Sequence, residues 1–92
     1  MKWEFDQPKN CAVITKKKII EGKSQICFVS HDLDDDGWQF LDNENPTSDQ
    51  IVVISLKEMV DIDQSIVVLS TMKPGFCASR KNKDSNWDIK NI

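Results

Sequence analysis

The sequence contains no tyrosine and only one histidine, His31, so it is poor in the side chains that most often carry catalysis. It also has no glycine-rich phosphate loop, no nucleophile elbow and no paired-glutamate motif. Arg80 is the only arginine, whereas recognition of phosphates and base edges depends on arginine forks and a positive face. We therefore expect a non-enzymatic protein with no catalytic residues, no cofactor and no nucleic-acid partner.

Long apolar runs are also missing. The longest aliphatic stretches, residues 51–54 and 66–69, are far too short to cross a bilayer. The first residues include acidic side chains and Pro8, where a secretory signal would need an apolar run. The three cysteines, Cys11, Cys27 and Cys77, are an odd number and cannot complete a disulfide framework. We therefore expect a cytoplasmic protein without a membrane partner, in which the cysteines are small buried hydrophobic residues.

The residues that are present predict a single α+β domain, residues 1–92, with a mostly antiparallel sheet and two or three short helices. Ser55 and Glu58 form the capping box of a helix ending near Asp61, and Thr15 is placed to cap a helical turn ending at Gly22. Strands are predicted at residues 10–15, 25–31, 38–41, 51–54 and 76–80, with a further edge strand at 86–90.

Two of these segments carry more specific expectations. The continuous apolar run at residues 51–54 predicts a strand buried on both faces. Residues 66–69 fit a strand by their β-branched content, but Asp63 before them would also suit a capped helical turn. The residues expected to be mostly buried are Ile14, Phe28, Trp38, Phe40, Val52, Ile54, Leu56 and Val60.

The charges are unevenly distributed along the chain. Residues 31–49 contain seven acidic side chains and no lysine or arginine, whereas residues 73–83 contain four cations and no acid. The acidic segment would repel nucleic acid and attract a basic protein. We therefore predict that this segment forms a partner-binding surface with Trp38 as its apolar centre. Around it, charge steering would come from Asp34, Asp35, Asp36 and Glu44. The alternative is that Trp38 packs in the hydrophobic core.

The same segment resembles part of a metal-binding loop. Asp32, Asp34, Asp36 and Gly37 match the first half of an EF-hand calcium loop, but Asn43 stands where that loop needs a bidentate glutamate. A solvated hairpin loop is the simpler interpretation, and weak calcium binding stays open. Cys27 and His31 would lie about 13 Å apart on one strand, too far to share a zinc ion. We predict no metal site, while a dyad between His31 and Cys11 or Cys77 is geometrically open.

Several short motifs, in this order, resemble a known bacterial family. They are the runs at residues 11–16, 19–22, 36–40, 51–56, 63–66 and 74–76, together with Glu44, Val60 and Arg80. Residues 11–80 resemble the immunity protein 33-like domain in these motifs, with Asn43 where the family usually has glycine. Residues 1–10 and 81–92 would be peripheral to that family-like core.

The resemblance implies a protein of a bacterial toxin–immunity system that binds a toxin and blocks it without catalysis. It also implies that residues 63–69 form a capped helical turn. A small cytoplasmic housekeeping or regulatory domain with an unknown ligand is the alternative.

Overall fold

The computed structural model describes residues 3–42 and 50–91. The predicted site residue Glu44 lies outside these ranges, as do Asn43 and Asp49. The strands of the described residues are β1 (Ala12–Lys16), β2 (Phe28–His31), β3 (Trp38–Leu41), β4 (Ile51–Ser55), β5 (Phe76–Ser79) and β6 (Asp88–Asn91). The helices are α1 (Lys17–Ile20), α2 (Leu56–Ile62) and a 3-10 helix (Gln64–Leu69).

The strands form one sheet in the order β4-β1-β3-β2-β5-β6. β1 and β3 are parallel, and every other neighbouring pair is antiparallel. The predicted α+β class with a mostly antiparallel sheet is therefore confirmed. The two strands around the acidic turn, β2 and β3, pair as the predicted hairpin, with His31 opposite Trp38.

The core lies between one face of the sheet and the helices. Trp38, Phe40 and Val29 of the sheet belong to the same buried cluster as residues of α2 and the 3-10 helix. Phe5 joins this cluster from the N-terminal segment, and β6 extends the sheet near the C-terminus. Both terminal segments are therefore part of the packed domain.

The opposite side of the sheet, here called the open face, follows from the strand register. Val53 pairs with Ile14, Ile14 with Gln39, and Gln39 with Ser30, so these residues lie in one row. Because side chains alternate along a strand, this row faces away from Trp38 and Phe40. Val53 is 64% exposed, and Ile14 and Gln39 are half-buried.

The start of α2 has the predicted capping box. The Ser55 hydroxyl accepts a hydrogen bond from the Glu58 backbone N–H at 3.1 Å, and the Ser55 N–H donates to the Glu58 carboxylate at 3.3 Å. These bonds satisfy two backbone donors around the helix start. Gly22, which ends the turn after α1, has a φ of 77° and provides the predicted left-handed stop.

Replacing this cap should have a measurable effect on stability. Ser55→Ala is expected to lower the free energy of unfolding by about 1 kcal/mol, because the Glu58 N–H loses its acceptor. Denaturant unfolding followed by circular dichroism measures this difference. Ser70→Ala is the matched control, since no hydrogen bond is formed by its side chain within the described residues, and it should change stability by less than about 0.5 kcal/mol. Equal effects of the two variants would contradict a capping role.

The predicted cap on α1 is wrong. Thr15 lies inside β1, and its hydroxyl donates a 2.7 Å hydrogen bond to the Phe40 carbonyl. β1 continues to Lys16 because Lys16 pairs with Ile51 of β4. The helix therefore begins only at Lys17 and has no side-chain cap.

The segment after α2 is a 3-10 helix, as the family resemblance implied, and the strand interpretation of residues 66–69 is wrong. The Asp63 carboxylate accepts from the Ser65 backbone N–H at 2.9 Å, which caps the helix. The same carboxylate accepts from the Arg80 guanidinium at 3.0 Å. This tertiary partner adds to the local cap and favours the helical turn over the strand propensity of Ile66 and its neighbours.

The prediction that the strand at 51–54 is buried on both faces is also wrong. β4 lies at the edge of the sheet, and Val53 points to the open face. Trp38, Phe40, Leu56 and Val60 are buried as expected. Four other predicted core residues are only half-buried, namely Ile14, Phe28, Val52 and Ile54.

Candidate protein-binding site

The turn between β2 and β3, residues 32–37, is here called the acidic loop, and it carries exposed carboxylates. Asp34, Asp35 and Asp36 are all exposed. The loop is closed by a 2.7 Å hydrogen bond from the Asp32 N–H to the Gly37 carbonyl. The Gly37 N–H donates to the Asp35 carboxylate at 2.9 Å. These local bonds hold the loop in a defined turn.

The buried His31 side chain helps to fix the acidic loop through a contact with Asp36. Its Nε2 lies 2.7 Å from the Asp36 carboxylate, and its Nδ1 lies 2.7 Å from the Met72 carbonyl oxygen. Both partners are oxygen acceptors, so the protonated ring can donate to both whereas the neutral ring can donate to one. Gln7 donates to the second oxygen of Asp36 at 3.1 Å. Asp36 adopts a left-handed conformation, with φ 59°, which aspartate tolerates.

Asp36 is therefore bonded on both of its oxygens, and its main role in this structure is to fix the loop. Asp34 differs, since its carboxylate has no partner among residues 3–42 and 50–91. Asp35 uses one oxygen for the Gly37 N–H. The three predicted steering residues that the structure describes thus form one exposed loop, but they are not equally available to a partner, and the fourth, Glu44, lies outside the described residues.

Trp38 does not form part of the exposed surface, so its prediction as the apolar centre is wrong and its prediction as a core residue is confirmed. Its side chain is 1% exposed. It stacks on the His31 ring with a centroid distance of 4.0 Å and meets the Phe5 ring edge-on at 5.3 Å. The hairpin register places it on the helix side of the sheet, which the local sequence did not reveal.

The exposed apolar residue at the acidic loop is Leu33 instead. It is 74% exposed and lies between Asp32 and Asp34 in sequence. Sequence reasoning missed it, although a single leucine within a run of aspartates is a recognisable signal. An apolar group surrounded by carboxylates has the composition of a small protein-docking surface.

One carboxylate of the acidic segment is not at the surface at all. Asp42 forms a 2.9 Å ion pair with Lys16, and their side chains are 4% and 0% exposed. The Ser24 hydroxyl also donates to Asp42 at 2.7 Å. The pair removes one negative charge from the acidic segment and one positive charge from the three consecutive lysines at residues 16–18. Neither residue is therefore available for electrostatic steering.

Asp32 connects the acidic loop to the open face. Its carboxylate accepts hydrogen bonds from the Gln39 side chain at 2.9 Å and from the Ser30 hydroxyl at 3.5 Å. Beside it is a groove of about 250 Å³, whose lining includes Ile14, Val53, Gln39, Asp32 and Asp35. The groove has an apolar floor from the sheet and two carboxylates at its rim.

A larger cavity of about 520 Å³ lies elsewhere, between the N-terminal segment and α2. Its lining includes Trp3, Phe5 and Val67 together with Lys57 and Asp61. The last two are paired with each other at 2.8 Å, so their charges offset one another. This cavity offers apolar surface but no convergent set of reactive groups.

The described residues give no geometry for metal binding or for a histidine–cysteine dyad. Among residues 3–42 and 50–91, no group of three histidine, cysteine, aspartate or glutamate side chains could hold a metal ion. Both ring nitrogens of His31 face Met72 and Asp36 rather than Cys11 or Cys77. None of the three cysteines forms a disulfide, and Cys27 is buried as expected, whereas Cys11 and Cys77 are only half-buried. No helix in the described part of the chain has the length and apolarity to span a membrane.

Comparison of the chain with models of known protein families, with curated proteins and with solved structures found no match. The resemblance to the immunity protein 33-like domain therefore stays a prediction from the sequence motifs.

Proposed function

We propose that this protein is a non-catalytic binding module of a bacterial toxin–immunity system, which neutralises a basic toxin by direct contact in the cytoplasm. The observation that carries the proposal is the acidic loop, where the exposed side chain of Leu33 lines one groove with Asp34 and Asp35 on a turn fixed by hydrogen bonds. The motif resemblance supports the toxin–immunity assignment, and three cysteines without a disulfide suit a reducing compartment.

The fixed conformation of the loop matters for binding. A flexible segment must lose conformational entropy when it binds, whereas a loop already held in shape loses less. Here the contact between His31 and Asp36 and the backbone closure between Asp32 and Gly37 hold the turn before any partner arrives. Carboxylates on such a turn accelerate encounter with a basic surface and suppress acidic partners.

Capture of the partner tests this proposal. The tagged protein is used to isolate binding proteins from its native host, with the products of neighbouring genes as the first candidates. We expect a basic protein that arrests growth when expressed alone and loses that effect when this protein is co-expressed. Capture of an acidic protein, or of a basic protein whose toxicity is unchanged by co-expression, would contradict the proposal. A non-toxic partner would favour the alternative regulatory role.

The acidic loop should control the rate of association with that partner. Asp34→Asn combined with Asp35→Asn is expected to slow association about three- to tenfold at low salt and to flatten its salt dependence. Asparagine keeps an oxygen acceptor for the Gly37 N–H, so stability should change by less than about 0.5 kcal/mol. Stopped-flow or surface-plasmon-resonance kinetics at several salt concentrations give both quantities.

The matched control removes two exposed carboxylates elsewhere. Glu4→Gln combined with Asp84→Asn changes net charge by the same amount but leaves the acidic loop intact. Equal slowing by both double variants would mean that only net charge matters, and the acidic loop would not be the binding surface. Asp36 is left unchanged in this experiment because its loss would also remove the hydrogen-bond partner of the buried His31 Nε2.

A further inference from the structure

The groove beside Asp32 has a composition that suggests one class of occupant. We propose that it receives a long basic side chain, arginine or lysine, of a protein partner, with the cation between Asp32 and Asp35. The stem of that side chain would lie on Ile14 and Val53 of the open face. This inference rests on the proposed function, because the partner supplying the side chain is the protein that the acidic loop attracts.

The apolar floor is the first part of the argument. Ile14 is paired with Val53 on one side and with Gln39 on the other, so the two aliphatic side chains are neighbours on the open face. Val53 is 64% exposed, and its strand is at the edge of the sheet formed by the described residues. Arginine and lysine bury their methylene stems on such surfaces while the charged end reaches polar groups.

The carboxylates supply the charge complementarity. Asp32 is held over the open face by Gln39 and Ser30, which are neutral donors and leave its negative charge uncompensated. Asp35 accepts one backbone hydrogen bond from Gly37. Within the described residues, neither carboxylate forms an ion pair with a lysine or arginine. Each carboxylate has about four acceptor positions, so both retain capacity for a cationic donor.

Other occupants fit less well. An anionic group would meet two like charges at the rim. A purely apolar side chain would cover the floor but would remove water from the carboxylates without giving them a hydrogen-bond partner, which is costly. A divalent cation lacks a third ligand of the required type among the described residues. Only a side chain with an apolar stem and a cationic end satisfies both parts of the groove.

A small probe tests the groove without the natural partner. The isotope-labelled protein is titrated with N-acetylarginine amide and, in parallel, with N-acetylcitrulline amide, which has nearly the same shape but no charge. We expect saturable shifts of the Ile14 and Val53 methyl signals and of the Gln39 side-chain amide with the arginine probe, with a Kd on the order of millimolar. The citrulline probe should bind at least threefold more weakly.

Two variants locate the effect. Asp32→Asn retains an acceptor for Gln39 and should weaken the arginine probe at least threefold. Val53→Ser removes the methyl contact without changing the charge of the groove and should also weaken the arginine probe, with the Ile14 methyl signal as the readout. Asp84→Asn is the control and should leave binding unchanged. Equal binding of the two probes, diffuse shifts, or shifts confined to residues outside the groove would overturn the proposal.

This test can fail independently of the proposed function. If the arginine probe does not bind the groove, but the captured toxin still depends on Asp34 and Asp35 for its association rate, the groove proposal is wrong and the toxin-binding proposal stands. If the probe binds the groove as expected but co-expression leaves the captured protein toxic, the groove binds a cationic side chain and the toxin-binding proposal is wrong.

Discussion

Trp38→Ala is expected to lower the free energy of unfolding by about 3 to 5 kcal/mol. The side chain is 1% exposed and contacts aromatic rings on both sides, stacking on His31 at 4.0 Å and meeting Phe5 at 5.3 Å. Its removal leaves a cavity that the surrounding sheet and helices cannot fill. Because domains of this kind have total stabilities of about 5 to 15 kcal/mol, the variant should be partly unfolded under ordinary conditions. Chemical denaturation followed by circular dichroism measures the loss.

Two further variants separate packing from general perturbation of the sheet. Trp38→Phe keeps an aromatic ring next to His31 and should cost clearly less than Trp38→Ala. Val53→Ala removes an exposed side chain and should change stability by less than about 0.5 kcal/mol. A Trp38→Ala protein as stable as Val53→Ala would show that Trp38 is not a core residue.

Lys16→Ala should be comparably damaging, with a loss of about 3 to 5 kcal/mol. The substitution leaves the Asp42 carboxylate, whose side chain is 4% exposed, without the ammonium group 2.9 Å away. A buried charge without its partner is far more costly than the intact pair is favourable. Equilibrium unfolding of the purified variant gives the difference.

The double variant Lys16→Met with Asp42→Leu identifies the cause. Replacing both charges with apolar side chains removes the buried carboxylate together with the ammonium group, so most of the stability lost in Lys16→Ala should return. Lys17→Ala, one residue along the chain and exposed, should change stability by less than about 0.5 kcal/mol. If the double variant were as unstable as Lys16→Ala, the loss would come from packing at Lys16 rather than from the broken ion pair.

The features predicted correctly from the sequence are mostly those that depend on neighbouring residues. The Ser55–Glu58 capping box, the stop at Gly22 and the hairpin around the acidic loop each depend on side chains or backbone within a few residues. Such interactions need no knowledge of the remaining chain, so their sequence patterns are informative.

The incorrect predictions concern partners that are distant in sequence. β4 was expected to be buried because its residues are apolar, but burial depends on its place in the sheet, and it lies at an edge. The burial of Lys16 also depends on a distant partner, since Asp42, 26 residues further along the chain, supplies the opposite charge. For residues 63–69 the residue pattern left strand and helical turn open, and the helical turn forms where Arg80 and a local cap coincide.

The candidate site likewise has some features that the sequence predicts and others that depend on distant residues. The acidic composition of residues 32–36 is visible in the sequence, and so is the exposed turn that it implies. The different roles of Asp34 and Asp36 are not visible in the sequence, because they depend on hydrogen bonds from His31 and Gln7 to Asp36. The burial of Trp38 was among the predictions, but the sequence left its role open between core and binding surface, and that choice, like the exposure of Leu33, depends on which face of the hairpin meets the helices.

The measurement that tests the central claim most directly is a map of backbone and methyl chemical shifts upon binding of the protein captured from the native host. Our account predicts that the largest changes fall on the acidic loop, residues 32–37, and on Ile14, Gln39 and Val53 beside it. Changes centred instead on the cavity lined by Trp3, Lys57 and Asp61, with the acidic loop unaffected, would contradict it.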